Sequence, residues 1–181
     1  RDKANEPCPD LPSEAYVLYV ARFCARKDQE TLLRAYAASG IQLQLVLLGG
    51  TPRPEEVQYR AHIEHLIADL QLTGRVLIPG FRTNPYPWIK QAALFAMSSR
   101  SEGLPLVLVE SLVLGTPAIS TDCPTGPSEV LTGDLARFLS PVGDVDALAA
   151  NLRTALSDYP PISAAQIGRF SAENTIRAYI T

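Results

Sequence analysis

Short unbroken apolar runs alternate along this chain with longer segments in which apolar residues recur every three or four positions. Residues 16–21 (YVLYVA) are almost continuously hydrophobic and rich in β-formers, the pattern of a strand covered on both faces. From 28 to 39, Leu32, Leu33, Tyr36 and Ala37 recur at helical spacing and Gly40 stands as the stop. Residues 43–48 (LQLVLL) predict a second strand, ended by Gly49-Gly50. Pro54 then opens a helix to residue 70 with Ile63, Leu66, Ile67 and Leu70 on one face. Residues 76–78 predict a third strand closed by Pro79-Gly80, 88–92 a short helix, and 94–97 a fourth strand. Residues 105–114 form a helix by length and by the Gly115 stop. Residues 118–120 predict a fifth strand, 126–131 a short helix, and 138–139 a sixth strand. In 144–156, Val145, Leu148, Ala149, Leu152 and Leu156 align on one helical face, and the segment from 162 reads as one or two further helices.

Strand and helix thus alternate about six times without hairpin turn signals, which implies βαβ units. The expected fold is α/β: a doubly wound, mostly parallel, Rossmann-like sheet with helices on both faces. In such sheets the ligand sits beyond the carboxyl ends of the strands. The chemistry is therefore expected in the loops at 22–27, 49–52, 80–85, 98–105 and 122–128. Residues 1–14 hold three prolines and several charges and read as a linker or interdomain segment; 15–181 read as one domain.

Composition narrows the classes. At 181 residues, 46% hydrophobic and 19% charged, the chain suits a single globular domain and not a disordered one. A net charge of −3 leaves no basic footprint for nucleic acid. The longest apolar run, 104–114, is interrupted by Glu110 and is too short to cross a bilayer. The N-terminus is polar and proline-rich, unlike a signal peptide, and the missing initiator Met points to a piece of a longer protein. Cys8, Cys24 and Cys123 are odd in number, far apart and outside any Cys-x-x-Cys pair. That argues for free thiols in a reducing, cytoplasmic compartment, with neither a disulfide frame nor a zinc site.

The densest chemistry lies in 99–115, SRSEGLPLVLVESLVLG. A small polar turn carries Glu102 and Gly103 ahead of a helix start at Pro105, and such a start lets backbone N–H groups and the helix dipole meet an anion such as a diphosphate. Glu110 follows inside a helix that is apolar nearly all round, so the helix is expected to be buried. A carboxylate there needs a partner, for which a pair of sugar hydroxyls is suited. The alternative is a surface glutamate on the helix's one wet stripe, beside Ser111. Arg22 and Lys27, at the end of the first strand, either clamp a diphosphate and support its departure or are solvated loop charges beside Arg26.

The run SRSEGLPLVLVESLVLGTPAISTDCPTGPSEVL resembles the signature of family 4 retaining glycosyltransferases, which have the GT-B fold. Glu102 and Glu110 match that family's Glu-x7-Glu motif, and VARFCARKDQETLLRAY is similar to its Gly-Arg…Lys segment, with Arg22 and Lys27 at the matching spacing. LVLLGG, VLIPGF, PVGDVDALAANL and FSAENTIRAY follow in family order, so the resemblance covers about residues 15–181. It implies the C-terminal, donor-binding half of a GT-B enzyme. Arg22 and Lys27 would bind the donor diphosphate, Glu102 would contact hydroxyls of the transferred sugar, and the backbone at Gly103 and Leu104 would cradle sugar and phosphates. Glu110 would hold the ribose hydroxyls, and the turn at Pro79, Gly80 and Phe81 would lie against the nucleobase.

The resemblance further implies transfer with retention from a nucleotide-diphosphate sugar, with no metal and no other cofactor. The acceptor, a glycan or lipid-linked glycan, would be bound through an N-terminal domain outside this chain, so the isolated piece is expected to turn over little or nothing. DCPTGPSE looks most like enzymes of bacterial surface polysaccharide or lipid-linked glycan synthesis, which implies a cytoplasmic enzyme whose full-length form can associate peripherally with the inner face of the membrane. Ala21 departs from the family's usual glycine, and its methyl is expected to narrow the approach of the phosphates.

Other signals carry less. His62 and His65 stand three apart without a third ligand. Ser99, Ser101 and Ser128 lie outside any nucleophile elbow; Gly49-Gly50 lacks a dinucleotide pattern; and no Walker sequence is present. Tyr86 and Trp88 read as packing residues. A non-catalytic nucleotide-sugar-binding module and a sugar-nucleotide epimerase of related fold are the competing readings.

Overall fold

A computed structural model describes residues 2–168 and 170. Six strands, β1 (Tyr16–Val20), β2 (Gln44–Leu48), β3 (Val76–Gly80), β4 (Leu94–Met97), β5 (Ala118–Thr121) and β6 (Leu139–Ser140), form one sheet in the order β3-β2-β1-β4-β5-β6. Every neighbouring pair is parallel. The winding direction reverses between β1 and β4, and the crevice at that switch point is where a doubly wound sheet presents a ligand site.

The helices are α1 (Gln29–Ser39), α2 (Pro54–Asp69), α3 (Tyr86–Gln91), α4 (Leu106–Val113), α5 (Pro127–Val130), α6 (Val145–Ser157) and α7 (Ala164–Gly168). They sort into two groups by contact. In one, α1 lies against α2 and α6; in the other, α4 lies against α3, α5 and α7. The continuous apolar strands are sandwiched between them: Val17, Leu18, Leu45, Val46, Leu94, Phe95, Ala118 and Ile119 are wholly buried. Asp28 caps α1 by accepting from the Thr31 amide at 3.3 Å, and Asp144 caps α6 through the Ala147 amide at 2.9 Å. Gly40 closes α1 in the left-handed conformation, φ 68°.

Three local differences from the sequence pattern have physical causes. β3 runs on through Pro79 and Gly80 instead of stopping at 78, which an edge strand permits because the proline removes no pairing donor. Phe138 ends a 3-10 turn, Gly133–Phe138, that buries Leu135 and Phe138 at a spacing of three; the sixth strand is consequently shifted to Leu139–Ser140. A second 3-10 turn, Ala25–Lys27, shapes the loop after β1.

The N-terminal segment is docked. A 3-10 turn at Asp2–Asn5 packs on α3 with Ala4 buried, and Asn84 donates to the Lys3 carbonyl at 2.8 Å and to Glu6 at 2.7 Å. Cys8, Cys24 and Cys123 are free thiols. No helix among the described residues is long and apolar enough to cross a membrane. Of the helices expected from 162 onward, α7 is observed; FSAENTIRAY lies outside the described residues except for Phe170.

Candidate active site

Arg22 leaves the carboxyl end of β1 with its backbone fixed on three sides. The Ala21 amide donates to Leu48 O at 2.9 Å, the Phe23 amide to Gly50 O at 3.2 Å, and Gln29 Nε2 to the Arg22 carbonyl at 2.9 Å. The chains approach so closely that a Cβ on Gly49 would stand 1.8 Å from the Ala21 oxygen. The position that tolerates no side chain is thus Gly49, one strand over from Ala21, whose methyl lines the cleft beside Arg22. The Arg22 guanidinium meets Glu56 of α2, Nη1 to Oε1 2.7 Å. Sequence reasoning missed Glu56, because an acidic residue in a first helical turn is ordinary.

Lys27 is held by the loop between β4 and α4. Its carbonyl accepts from Tyr19 Oη at 2.9 Å, Ser98 Oγ donates to the Asp28 carbonyl at 2.8 Å, and the Arg100 amide donates to Arg26 O at 2.8 Å. Lys27 Nζ reaches Glu102 Oε1 at 2.5 Å. Glu102 also accepts from Ser99 Oγ at 2.6 Å, and Ser99 Oγ lies 2.8 Å from Tyr19 Oη. With the Tyr19 proton on the Lys27 carbonyl, the single Ser99 proton lies between two acceptors, Tyr19 Oη and Glu102 Oε1. Burial pushes the Tyr19 phenol far above its ordinary range, so it stays protonated and able to donate. Tyr19 and Ser99 orient Glu102 as a hydrogen-bonded chain, a role the sequence does not display.

Gly103 follows with open space around its α-carbon, and Pro105 starts α4 without a side-chain cap. Thr125 Oγ1 donates to the Glu102 carbonyl at 2.6 Å. A Cβ on Gly126 would fall 2.3 Å from Gly103 O, which locks the β5–α5 loop against this turn.

These groups border a cleft of about 460 Å³ lined by Arg22, Lys27, Gly49 and Phe81. A smaller recess of about 160 Å³, sharing Val20, Lys27 and Val107, continues it to Glu102 and Leu104. Arg22, Lys27, Glu102 and Leu104 are therefore brought together, and Gly80 leads directly into the rim. Phe81 is 71% exposed, Leu104 57% and Leu106 61%. The exposed Leu106 also corrects the expectation of an all-round buried helix: α4 covers Leu108, Val109, Ser111 and Leu112, while Leu106 at its start faces outward.

Glu110 lines a second recess, of about 430 Å³, with Tyr86, Val109 and Val113. Tyr86 Oη donates to Glu110 Oε1 at 3.1 Å, so this tyrosine, read from the sequence as packing, carries a polar contact; Trp88 is packed at 1% exposure. Partial burial raises the Glu110 carboxyl above its ordinary range, and the Tyr86 hydrogen bond partly opposes the rise. The carboxylate in turn holds the Tyr86 proton and raises that phenol. His62 Nε2 pairs with Glu30 at 2.9 Å while His65 Nδ1 meets Ala61 O at 2.7 Å, so the two rings do not converge. Among the described residues no cluster of three or more His, Cys, Asp and Glu is arranged to hold a metal ion.

The family described as "Glycosyl transferases group 1" matches residues 6–173. The chain is 32% identical over 145 residues to N-acetylgalactosamine-N,N'-diacetylbacillosaminyl-diphospho-undecaprenol 4-alpha-N-acetylgalactosaminyltransferase of Campylobacter jejuni, covering 80% of this chain and 38% of that protein. It is 30% identical over 182 residues to the lipopolysaccharide core biosynthesis glycosyltransferase LpsE of Rhizobium meliloti, covering 94% and 50%. Its fold matches the crystal structure of Anabaena Alr3699/HepE in complex with UDP and glucose at a TM-score of 0.81 and 24% identity, over 92% of this chain and 48% of that one. The chain therefore spans between about two fifths and half of the length of these proteins. With its doubly wound parallel sheet and a match over nearly its whole length, the chain belongs to the group 1 glycosyl transferases.

Proposed function

We propose that residues 15–181 are the donor-binding domain of a retaining glycosyltransferase of the GT-B fold, which moves a sugar from a nucleotide-diphosphate sugar to a glycan or lipid-linked acceptor. The observation that carries this reading is the convergence of Arg22, Lys27 and Glu102 on one cleft at the switch point of the sheet. Arg22 and Lys27 supply charge for two phosphates, and the first amides of α4 add the positive end of a helix. Glu102 accepts from hydroxyls of the transferred sugar through the oxygen that Lys27 and Ser99 leave free, while the remaining Lys27 N–H groups meet phosphate. Gly103 and Leu104 pass close to the sugar because nothing fills the space at Gly103. Gly80 and Phe81 face the nucleobase, and Glu110 takes the ribose hydroxyls from beneath.

In the transfer, the bond from the anomeric carbon to the phosphate oxygen breaks as the acceptor oxygen bonds to the same face, and the acceptor proton passes to the leaving phosphate. The cations stabilise the charge arriving on that phosphate, a task for which this reading needs no metal. The acceptor is bound by a further domain. The names of the Campylobacter and Rhizobium relatives support an acceptor in bacterial surface polysaccharide or lipid-linked glycan synthesis. The UDP and glucose of the Anabaena structure support a nucleotide-sugar donor.

Calorimetric titration of the chain with UDP, GDP, ADP and their nucleosides tests the donor site. One base series should bind saturably, and Arg22→Ala should weaken the diphosphate far more than the nucleoside. Failure of a folded sample to bind any of the three, or equal losses for nucleoside and diphosphate, refutes the reading.

A further inference from the structure

Glu56 is the most deeply buried acidic side chain near the cleft, at 2% exposure, and no step of the proposed reaction uses it. It stands in the first turn of α2, 34 residues from Arg22 in sequence, with Oε1 2.7 Å from Arg22 Nη1. Its second oxygen is buried with no partner among the described residues. Burying a carboxylate and leaving half its accepting capacity unmet is costly, and here the contact it secures is with one edge of one guanidinium. Among the described residues that guanidinium has no other polar partner, and the side chain remains 41% exposed toward the cleft.

The surroundings explain why an anchor is needed. Arg22, Arg26, Lys27 and Arg82 all line the same cleft, and like charges crowded together drive a long side chain outward to solvent. Lys27 is restrained by Glu102, and Arg82 by the Pro79 carbonyl at 2.8 Å and Asp10 at 3.2 Å. Arg22 is restrained from behind, so its remaining N–H groups stay directed into the cleft. A diphosphate can engage them without displacing Glu56.

We infer that Glu56 is a positioning residue that preorganises Arg22 for the diphosphate by the reach of its side chain. The inference rests on the assignment of Arg22 to the donor diphosphate. A guanidinium already fixed in its binding geometry loses less conformational freedom when the ligand arrives. Because one hydrogen bond carries the effect, an acceptor at the same reach should replace it and a shorter side chain should not.

The experiment is a double-mutant cycle read by titration with whichever of UDP, GDP and ADP binds the chain, and with its nucleoside. Glu56→Ala and Glu56→Asp should each weaken the diphosphate about tenfold, the order of one charge-assisted hydrogen bond, and leave the nucleoside unchanged. Glu56→Gln, which keeps an acceptor at the same reach, should retain most of the affinity. Combined with Arg22→Ala, neither the Ala nor the Asp change should add a further loss. If Glu56→Ala does not fold, Glu56→Asp decides. A loss shared by the nucleoside, a loss that persists in full without Arg22, or wild-type affinity in Glu56→Asp overturns the inference. If Arg22→Ala leaves diphosphate binding intact, or no diphosphate binds, the donor reading itself fails and this inference with it. If Arg22→Ala weakens binding while Glu56→Asp does not, this inference alone fails.

Discussion

Replacing Gly49 with alanine tests whether close contact between the ends of β1 and β2 places Arg22. The new methyl carbon would stand 1.8 Å from the Ala21 oxygen and 2.7 Å from its carbonyl carbon, where real Cβ atoms do not approach within 3.0 Å. The two chains must part by roughly 1.2 Å, and neither can yield as a flexible side chain would. Ala21 is bonded to Leu48 O at 2.9 Å and Gly49 to Gly80 O at 3.1 Å, so separation strains both ladder bonds. Overpacking of a tight site costs about 1–3 kcal/mol, and each weakened hydrogen bond about 1 kcal/mol. A loss of about 3 kcal/mol follows, or a fall in Tm of about 10 °C for a chain of this size. Urea unfolding followed by far-UV circular dichroism, with the m-value checked for constancy, measures it. Because the displaced residue adjoins Arg22, diphosphate affinity should fall in the fraction that remains folded. A Gly49→Ala chain within about 1 kcal/mol of the parent would refute the reasoning, since a fixed backbone cannot absorb that overlap at so small a cost.

Gly103→Ala should behave oppositely: with no atom within 4 Å of the added carbon, stability should change by less than about 0.5 kcal/mol while nucleotide-sugar affinity falls. Unchanged affinity in parallel melting and titration experiments would remove Gly103 from the site. Glu110 accepts ribose hydroxyls best when ionised, and burial raises its pKa from 4.5. Nucleotide affinity should therefore drop on acidification at a higher pH than an ordinary glutamate gives, and Glu110→Gln should lack that step; a titration series matching the parent's in the mutant would contradict the role. The same shift has a stability sign. The folded state binds the proton more tightly than the unfolded state, so this group's contribution declines as pH rises from the unfolded glutamate range through its raised folded value. Urea midpoints against pH should show that decline in the parent and not in Glu110→Gln. Asp28 caps α1, pairs with Arg100 at 2.8 Å and holds a left-handed φ of 48°. Asp28→Ala should cost about 2 kcal/mol from the lost cap and the left-handed strain, little of it from the half-exposed Arg100; a urea-derived loss below about 0.5 kcal/mol would refute that account.

Much of the architecture was legible because burial leaves a period in the sequence. β1, β2 and β4 are covered on both faces and so read as unbroken apolar runs, while α1 and α6 bury one stripe and read at helical spacing between Asp28 or Asp144 and their stops. The candidate site was legible in part, since Arg22 with Lys27, and Glu102 with Glu110, stand at short spacings within single loop-and-helix units. The 3-10 turn at Gly133–Phe138 was not, because six residues with two buried side chains give too little repetition to register.

Partners across the fold left no such trace. A period reports that a residue is buried, not what it is buried against, and ion pairs depend on distance through space. Lys27 meets Glu102 across 75 residues, Tyr19 meets Ser99 across 80, and Arg22 meets Glu56 across 34. Each contact exists because β1 lies between β2 and β4, an order set by how the crossovers wind. Around the motif, Glu102 lines the recess that continues the cleft from its loop, and Glu110 on α4 meets Tyr86 in a second recess. The sequence by itself determined the strands, the helices and the residues carrying the chemistry. Tertiary structure alone decided which of those residues meet, because the partners come from different crossovers and their contacts follow the strand order, not the spacing along the chain.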